Sequence, residues 1–327
     1  MARNRPDTAQ RLPAAAILII AGFAIAAIPF AALLAQPRGA PFTVVETGRS
    51  YANLQEALTE IGNRQGTVEI APGNYRQCAV QEGGMVTYRA SERGTVTFDR
   101  TTCEGKAALV LRGRSATIDG LVFRGMEVPD GNGAGIRLEQ GDLSVSQSWF
   151  VDSQQGILTG NDAGGVITID KSTFSGLGTC ENSAGCAHSI YIGDYGSLRV
   201  TRSRLERGNG GHYVKARAGR VEILDNSFDD ANGRATNYMI DLPAGSTGRI
   251  ERNLFVQGRD KENYSAFIAV GAEELLHDAD GLAISGNVAR FVPGLSRSSV
   301  FVADWTGHNL ALGKNEIAPG IKPFEAR

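Results

Sequence analysis

Apolar positions recur along this chain in a fixed relation to one polar and one aromatic position. The unit is an aliphatic residue, two variable residues, Ser or Asn, one variable residue, then Phe or Leu. It occurs as Val145/Ser148/Phe150, Ile169/Ser172/Phe174, Val200/Ser203/Leu205, Ile223/Asn226/Phe228 and Ile250/Asn253/Phe255. Ile284/Asn287/Ala289 and Leu312/Asn315/Ile317 are weaker copies, and Ile118/Leu121/Phe123 is an earlier one without the polar residue. Copies lie roughly 23 to 34 residues apart, a range that suits the coils of a β solenoid with loops inserted at corners. One coil cannot bury its own apolar face. Coils stacked about 4.8 Å apart bury it against the coils above and below. The Phe column then becomes an internal stack, and the Ser/Asn column sits at a bend where a short polar side chain satisfies turning backbone.

A second kind of run alternates with the first. His188 to Gly193, His212 to Arg217 and Tyr238 to Pro243 each show the period of two expected of a half-buried strand. Aligned on the central aliphatic residue, the core column reads Leu109, Ile136, Ile157, Ile190, Val214, Ile240 and Ile268. The next residue faces outward in every coil: Val110, Arg137, Leu158, Tyr191, Lys215, Asp241 and Ala269. Two further on, the outward column reads Arg112, Glu139, Gly160, Gly193, Arg217, Pro243 and Gly271, and glycines 193 and 271 leave open space there. Strict alternation turns His188, His212 and Tyr238 inward at the start of their strands. Before the coils, residues 50–61 place Tyr51, Leu54, Ala57, Leu58 and Ile61 on one helical face, with Ser50 or Asn53 as cap. Residues 66–75 read as a strand ending in a Pro-Gly turn.

Residues 14–35 carry no charge. About 22 residues at roughly 1.5 Å each is long enough to cross a bilayer. Arg3, Arg5 and Arg11 precede them, so the N-terminus is expected to stay in the cytoplasm and the rest to be exported. The expected division is a cytoplasmic tail at 1–13, a transmembrane signal anchor at 14–35, a linker at 36–41 and the solenoid at 42–327. A cleaved signal peptide is the rival reading of 14–35. The expected location is therefore the inner membrane with the solenoid in the periplasm, or the periplasm or medium after cleavage.

Composition adds little. A net charge of −2 provides no basic surface for nucleic acid. Cys78, Cys103, Cys180 and Cys186 are an even set in an exported chain, and local pairing, Cys78–Cys103 and Cys180–Cys186, is the expected one of three connectivities. Their spacing is not that of a zinc site, and no metal is expected.

The helix at 50–61, the strand at 68–75 and the Asn-x-Phe coils resemble the pectate-lyase-like right-handed parallel β-helix proteins, over roughly 42–317. That resemblance implies an all-β, right-handed parallel β-helix with an N-terminal capping helix, preceded here by the transmembrane or signal helix. Residues 214–217 followed by 221–226 are similar to the catalytic-lysine coil of polysaccharide lyase family 6. That similarity implies Lys215 as base, an assisting Arg that Arg217 approximates from the same strand, and calcium held by upstream carboxylates. Asn209-Gly-Gly-His212 stands where those carboxylates would be, so calcium's ligands are not matched and no cofactor is assigned.

The chemistry also follows from the residues. A uronic-acid lyase removes a proton beside a carboxylate and expels the 4-linked oxygen, which requires a base and a neutralising cation. Lys215 or Tyr191 fits the first role and Arg217 the second, with Asp241 and His212 beside them. Arg137, His188, Tyr213 and Asp194 are candidate substrate contacts. The expected partner is an acidic polysaccharide. A glycoside hydrolase using Asp194 and Asp241, and a binding or envelope-structural β-helix without activity, are the alternatives. The plain alternative for Lys215 and Asp241 is a surface ion pair worth roughly 0–1 kcal/mol.

Overall fold

The computed structural model describes residues 39–181 and 185–327; the candidate membrane segment at 14–35 lies outside them. The described chain is a parallel β-solenoid. Each coil contributes a strand to each of three sheets, which run side by side along the molecule. Apart from the antiparallel pairings of Phe42–Val44 with Arg49–Tyr51 and with Gln65–Ile70, the strands pair in parallel. Among the described residues no helix is long and apolar enough to cross a membrane.

The sequence repeat is the second sheet with the bend leading into it. Phe98, Phe123, Phe150 and Phe174 pair in register and stack with centroids 5.7, 5.0 and 4.7 Å apart. Leu205 interrupts the stack, which resumes with Phe228 and Phe255 at 4.9 Å. The Ser/Asn column forms a ladder in which each backbone N–H donates to the side chain one coil ahead. Leu121 donates to Ser148, Ser148 to Ser172, Ser172 to Ser203 and Ser203 to Asn226. Asn226, Asn253 and Asn287 continue it to Asn253, Asn287 and Asn315. Each Asn amide also donates back to a carbonyl, as Asn253 does to Ile223. These partners allow the polar column to be buried.

The α-helix is Leu54–Ile61, shorter than the periodicity predicts. Asn53 caps it by accepting from Gln55 N–H at 2.9 Å, and residues 49–51 are taken into an antiparallel strand instead. Its buried face of Leu54, Ala57, Leu58 and Ile61 lies against Phe42–Val44 and Ala79–Gln81. Cys78–Cys103 and Cys180–Cys186 are both disulfides.

Candidate functional site

The third sheet carries the second strand type in the expected register. Leu109, Ile136, Ile157, Ile190, Val214, Ile240 and Ile268 pair along the core, and Val110, Arg137, Leu158, Tyr191, Lys215, Asp241 and Ala269 pair outside it. The alternation breaks just before each strand. Tyr213 and Val214 are both fully buried, as are Met239 and Ile240. Two successive inward residues swing the one before them outward. His188 and His212 therefore line the cleft with Tyr191 and Lys215, contrary to the inward orientation strict alternation predicts. Gln155 occupies the same column and lines the cleft with them.

Tyr213 points the other way. It is buried in the core, donates to Asp230 at 2.7 Å and accepts from Gly208 N–H, so it cannot touch a substrate. Asp230 is also paired with Lys261 at 3.3 Å, both side chains being 0% exposed, and accepts from the Thr236 hydroxyl and the Gly258 N–H. A paired and fully hydrogen-bonded buried charge holds its surroundings in one arrangement. Here it fixes the turn that leads to Asn237, at the edge of the cleft.

The cleft has a volume of about 360 Å³. Lys215 lines it, only 9% exposed, beside Asp241 of the next strand at 3%. The surface ion pair of the sequence reading is thus a buried one. Lys215 Nζ is 3.1 Å from Asp241 Oδ2 and donates to Glu273 Oε1 at 2.6 Å. Arg217 donates to the other Glu273 oxygen and to the Tyr191 hydroxyl, its guanidinium 5.4 Å from the Tyr191 ring centre. Burial pulls the Lys215 pKa down, but Asp241 and Glu273 outweigh it and hold the ammonium above its usual value. Burial pushes Asp241 up against the pull of Lys215, and its Oδ1 is buried without a hydrogen-bond partner.

Tyr191, His188, His212 and Tyr238 form a ladder of rings with centroids 5.5, 4.8 and 5.6 Å apart. His188 Nδ1 accepts from His212 N–H at 3.1 Å, which leaves Nε2 as the protonated nitrogen of its neutral ring. Burial, then the charges of Lys215 and Arg217, push the His188 pKa down to about 3. Burial and the neighbouring His188 and Lys215 lower His212 strongly as well. Both imidazoles are neutral at neutral pH.

Asp194 does not line the cleft: its carboxylate pairs with His277 at 3.0 Å beside the Arg217 carbonyl. Arg137 lines an adjoining cavity of about 280 Å³ that shares Asn132 and Leu158 with the cleft, and its Nε is buried without a hydrogen-bond partner. Gly193 and Gly271 do not leave open space. A Cβ at Gly193 would lie 2.2 Å from the Gly160 carbonyl, and one at Gly271, where φ is +71°, would meet Thr306. Cys186 and Gly185 form part of the cleft wall. Asn132, Asn237, Glu262 and Glu273 escaped the sequence reading because they lie in loops outside the aligned columns; Gln155 was recoverable by extending the histidine column.

No family model matches the chain, and no curated protein matches it. Similar solved structures include an arginine-to-alanine mutant of the PL6 family alginate lyase AlyGC. It is 13% identical over 77% of this chain and 36% of that one, with a TM-score of 0.44. Another is ORF18 of Geobacillus virus E2, 15% identical over 84% of this chain and 57% of that one, with a TM-score of 0.45. The chain thus spans about a third of the first and just over half of the second.

Proposed function

We propose that the third-sheet cleft binds an acidic polysaccharide and cleaves it by β-elimination, in a solenoid exported and anchored through residues 14–35. The observation that carries the reading is the contact of Arg217 with Tyr191, beside the ammonium of Lys215 in one cleft. Lys215 is held protonated by two carboxylates, which suits a cation better than the resting base that sequence similarity implies. Tyr191 takes that role instead. As phenolate it removes the proton on the carbon next to the uronate carboxylate. The electron pair forms the C4–C5 double bond, the C4–O bond breaks, and the tyrosine returns the proton to the departing oxygen. Arg217 faces the negative charge on the tyrosine oxygen, and Lys215 and Arg217 oppose the charge developing on the substrate carboxylate. Arg137 in the adjoining cavity provides a cation for a sugar further along the solenoid axis. Calcium has no part in this scheme, and in the hydrolase alternative Asp194 would have to act from its pairing with His277.

Incubation with a panel of polyuronates is expected to produce ultraviolet-absorbing unsaturated ends. Tyr191→Phe should slow this by a factor of about 10² or more with unchanged melting. Full activity in Tyr191→Phe removes the tyrosine from the mechanism. New reducing ends without ultraviolet absorbance identify hydrolysis, and binding without cleavage identifies a binding module. A C-terminal reporter active only in the cytoplasm overturns the export reading; its two disulfides suit an oxidising compartment.

A further inference from the structure

Glu273 comes from the loop after the strand Ala266–Val270, yet its carboxylate lies between the two cations of the cleft. One oxygen accepts from Lys215 at 2.6 Å and the other from Arg217. The loop backbone is tied down: Glu273 N–H donates to Pro243 at 3.0 Å, and Leu276 and His277 N–H donate to Ala244. The side chain is not confined in the same way, being 45% exposed. Asp241 is confined, buried beneath Lys215 at 3.1 Å. The two cations that line the cleft therefore meet one buried carboxylate and one half-exposed carboxylate.

Rotating Glu273 toward solvent would leave Lys215 paired with Asp241 and Arg217 in contact with Tyr191. Lys215 and Arg217 would then carry one positive charge more than the carboxylate of Asp241 offsets, with donors on two side chains directed at one point. An unpaired charge in such a place is costly. A single external carboxylate restores the balance and reproduces the two contacts that Glu273 makes. A neutral sugar cannot, and a second carboxylate would overcharge the site.

We propose that Lys215 and Arg217 form a subsite for the carboxylate of one uronic-acid residue, and that Glu273 occupies it as an intramolecular stand-in until substrate displaces it. The inference deepens the elimination reading by naming what the cleft selects. Glu273 competes with every acidic ligand, so it lowers their apparent affinity by the fraction of time it is bound. Neutral glycans gain nothing from its departure, because they bring no charge to Lys215 and Arg217.

The test is calorimetric binding by the full chain of three probes: a galacturonate tetrasaccharide, a mannuronate tetrasaccharide and neutral cellotetraose. Glu273→Gln and Glu273→Ala should each tighten binding of at least one uronate probe by about tenfold or more, with cellotetraose unchanged. Arg217→Gln added to Glu273→Gln should abolish that gain. Uronate affinity that is unchanged or weaker in both Glu273 variants, an equal gain for cellotetraose, or no uronate binding in any form overturns the inference. Binding needs no turnover, so the two ideas fail separately. Tighter uronate binding without unsaturated product keeps the subsite and ends the elimination reading. Elimination with unaltered affinity in the Glu273 variants does the reverse.

Discussion

Lys215 shows how far a side chain's column determines its role. Its place outside the core is legible from alternation, since Val214 and Asp241 fall where the aligned columns put them. Its burial is not, because the wall over it comes from Glu273, on a loop with no periodic signal. The consequence is energetic. Removing Lys215 leaves the buried Asp241 with only the neutral His212, 3.6 Å away, so Lys215→Met is expected to lower unfolding free energy by about 3 kcal/mol in urea melts. The double variant Lys215→Met/Asp241→Asn should return to within about 1 kcal/mol of wild type, because neither position then holds a buried charge. The histidines give a second expectation. His188 binds its proton at about 3 when folded and near the ordinary histidine value of about 6.5 when unfolded. Between these values the unfolded chain holds more protons, so stability present above about pH 6.5 is lost as pH falls toward about 3. His212 acts in the same direction. Unfolding free energy against pH should fall across that window, by on the order of a few kcal/mol from His188, and His188→Gln should flatten the fall.

Among the elements, the second sheet was the most legible and the turn into the third the least. The second sheet repeats one side chain per coil at one place, so the pattern survives loops of different length. The turn into the third sheet breaks alternation at Ser189, Tyr213 and Met239, and the break reverses the histidines without changing any spacing. The asparagine ladder supports a quantitative expectation. Asn253 accepts from Asn226 N–H and side-chain amide at 2.9 and 3.0 Å, and donates to Ile223 O and Asn287 Oδ1 at 2.8 and 3.0 Å. Asn253→Ala orphans these buried groups and should cost about 3 kcal/mol. Asn253→Ser, which keeps an acceptor as at Ser148 and Ser172, should cost roughly half of that. Equal losses for both would show that the rung's volume matters and its hydrogen bonds do not.

Over the whole solenoid each coil touches chiefly its neighbours, and damage should stay local. In Asn253→Ala, amide exchange is expected to accelerate in the coils around residues 226–287 and to remain unchanged around residues 86–124. Uniform acceleration along the chain would mean that the molecule opens as one unit. The disulfides divide by loop length. Cys78–Cys103 closes 25 residues and Cys180–Cys186 only 6. Opening the first is therefore expected to cost roughly 3–4 kcal/mol and the second about 2. Removing the second should instead show in the cleft it borders, as weaker ligand binding.

The ladder of the second sheet also has a direction. From Leu121 to Asn287 every rung donates its backbone N–H to a side chain that comes later in the chain. A ribosome or a secretion channel delivers the early coils first. At each moment the newest coil has an amide whose acceptor has not yet emerged, and the coil behind it has just been closed. The molecule is thus fastened from behind as it grows, and a chain that stalls partway always presents one unfastened coil at its leading end.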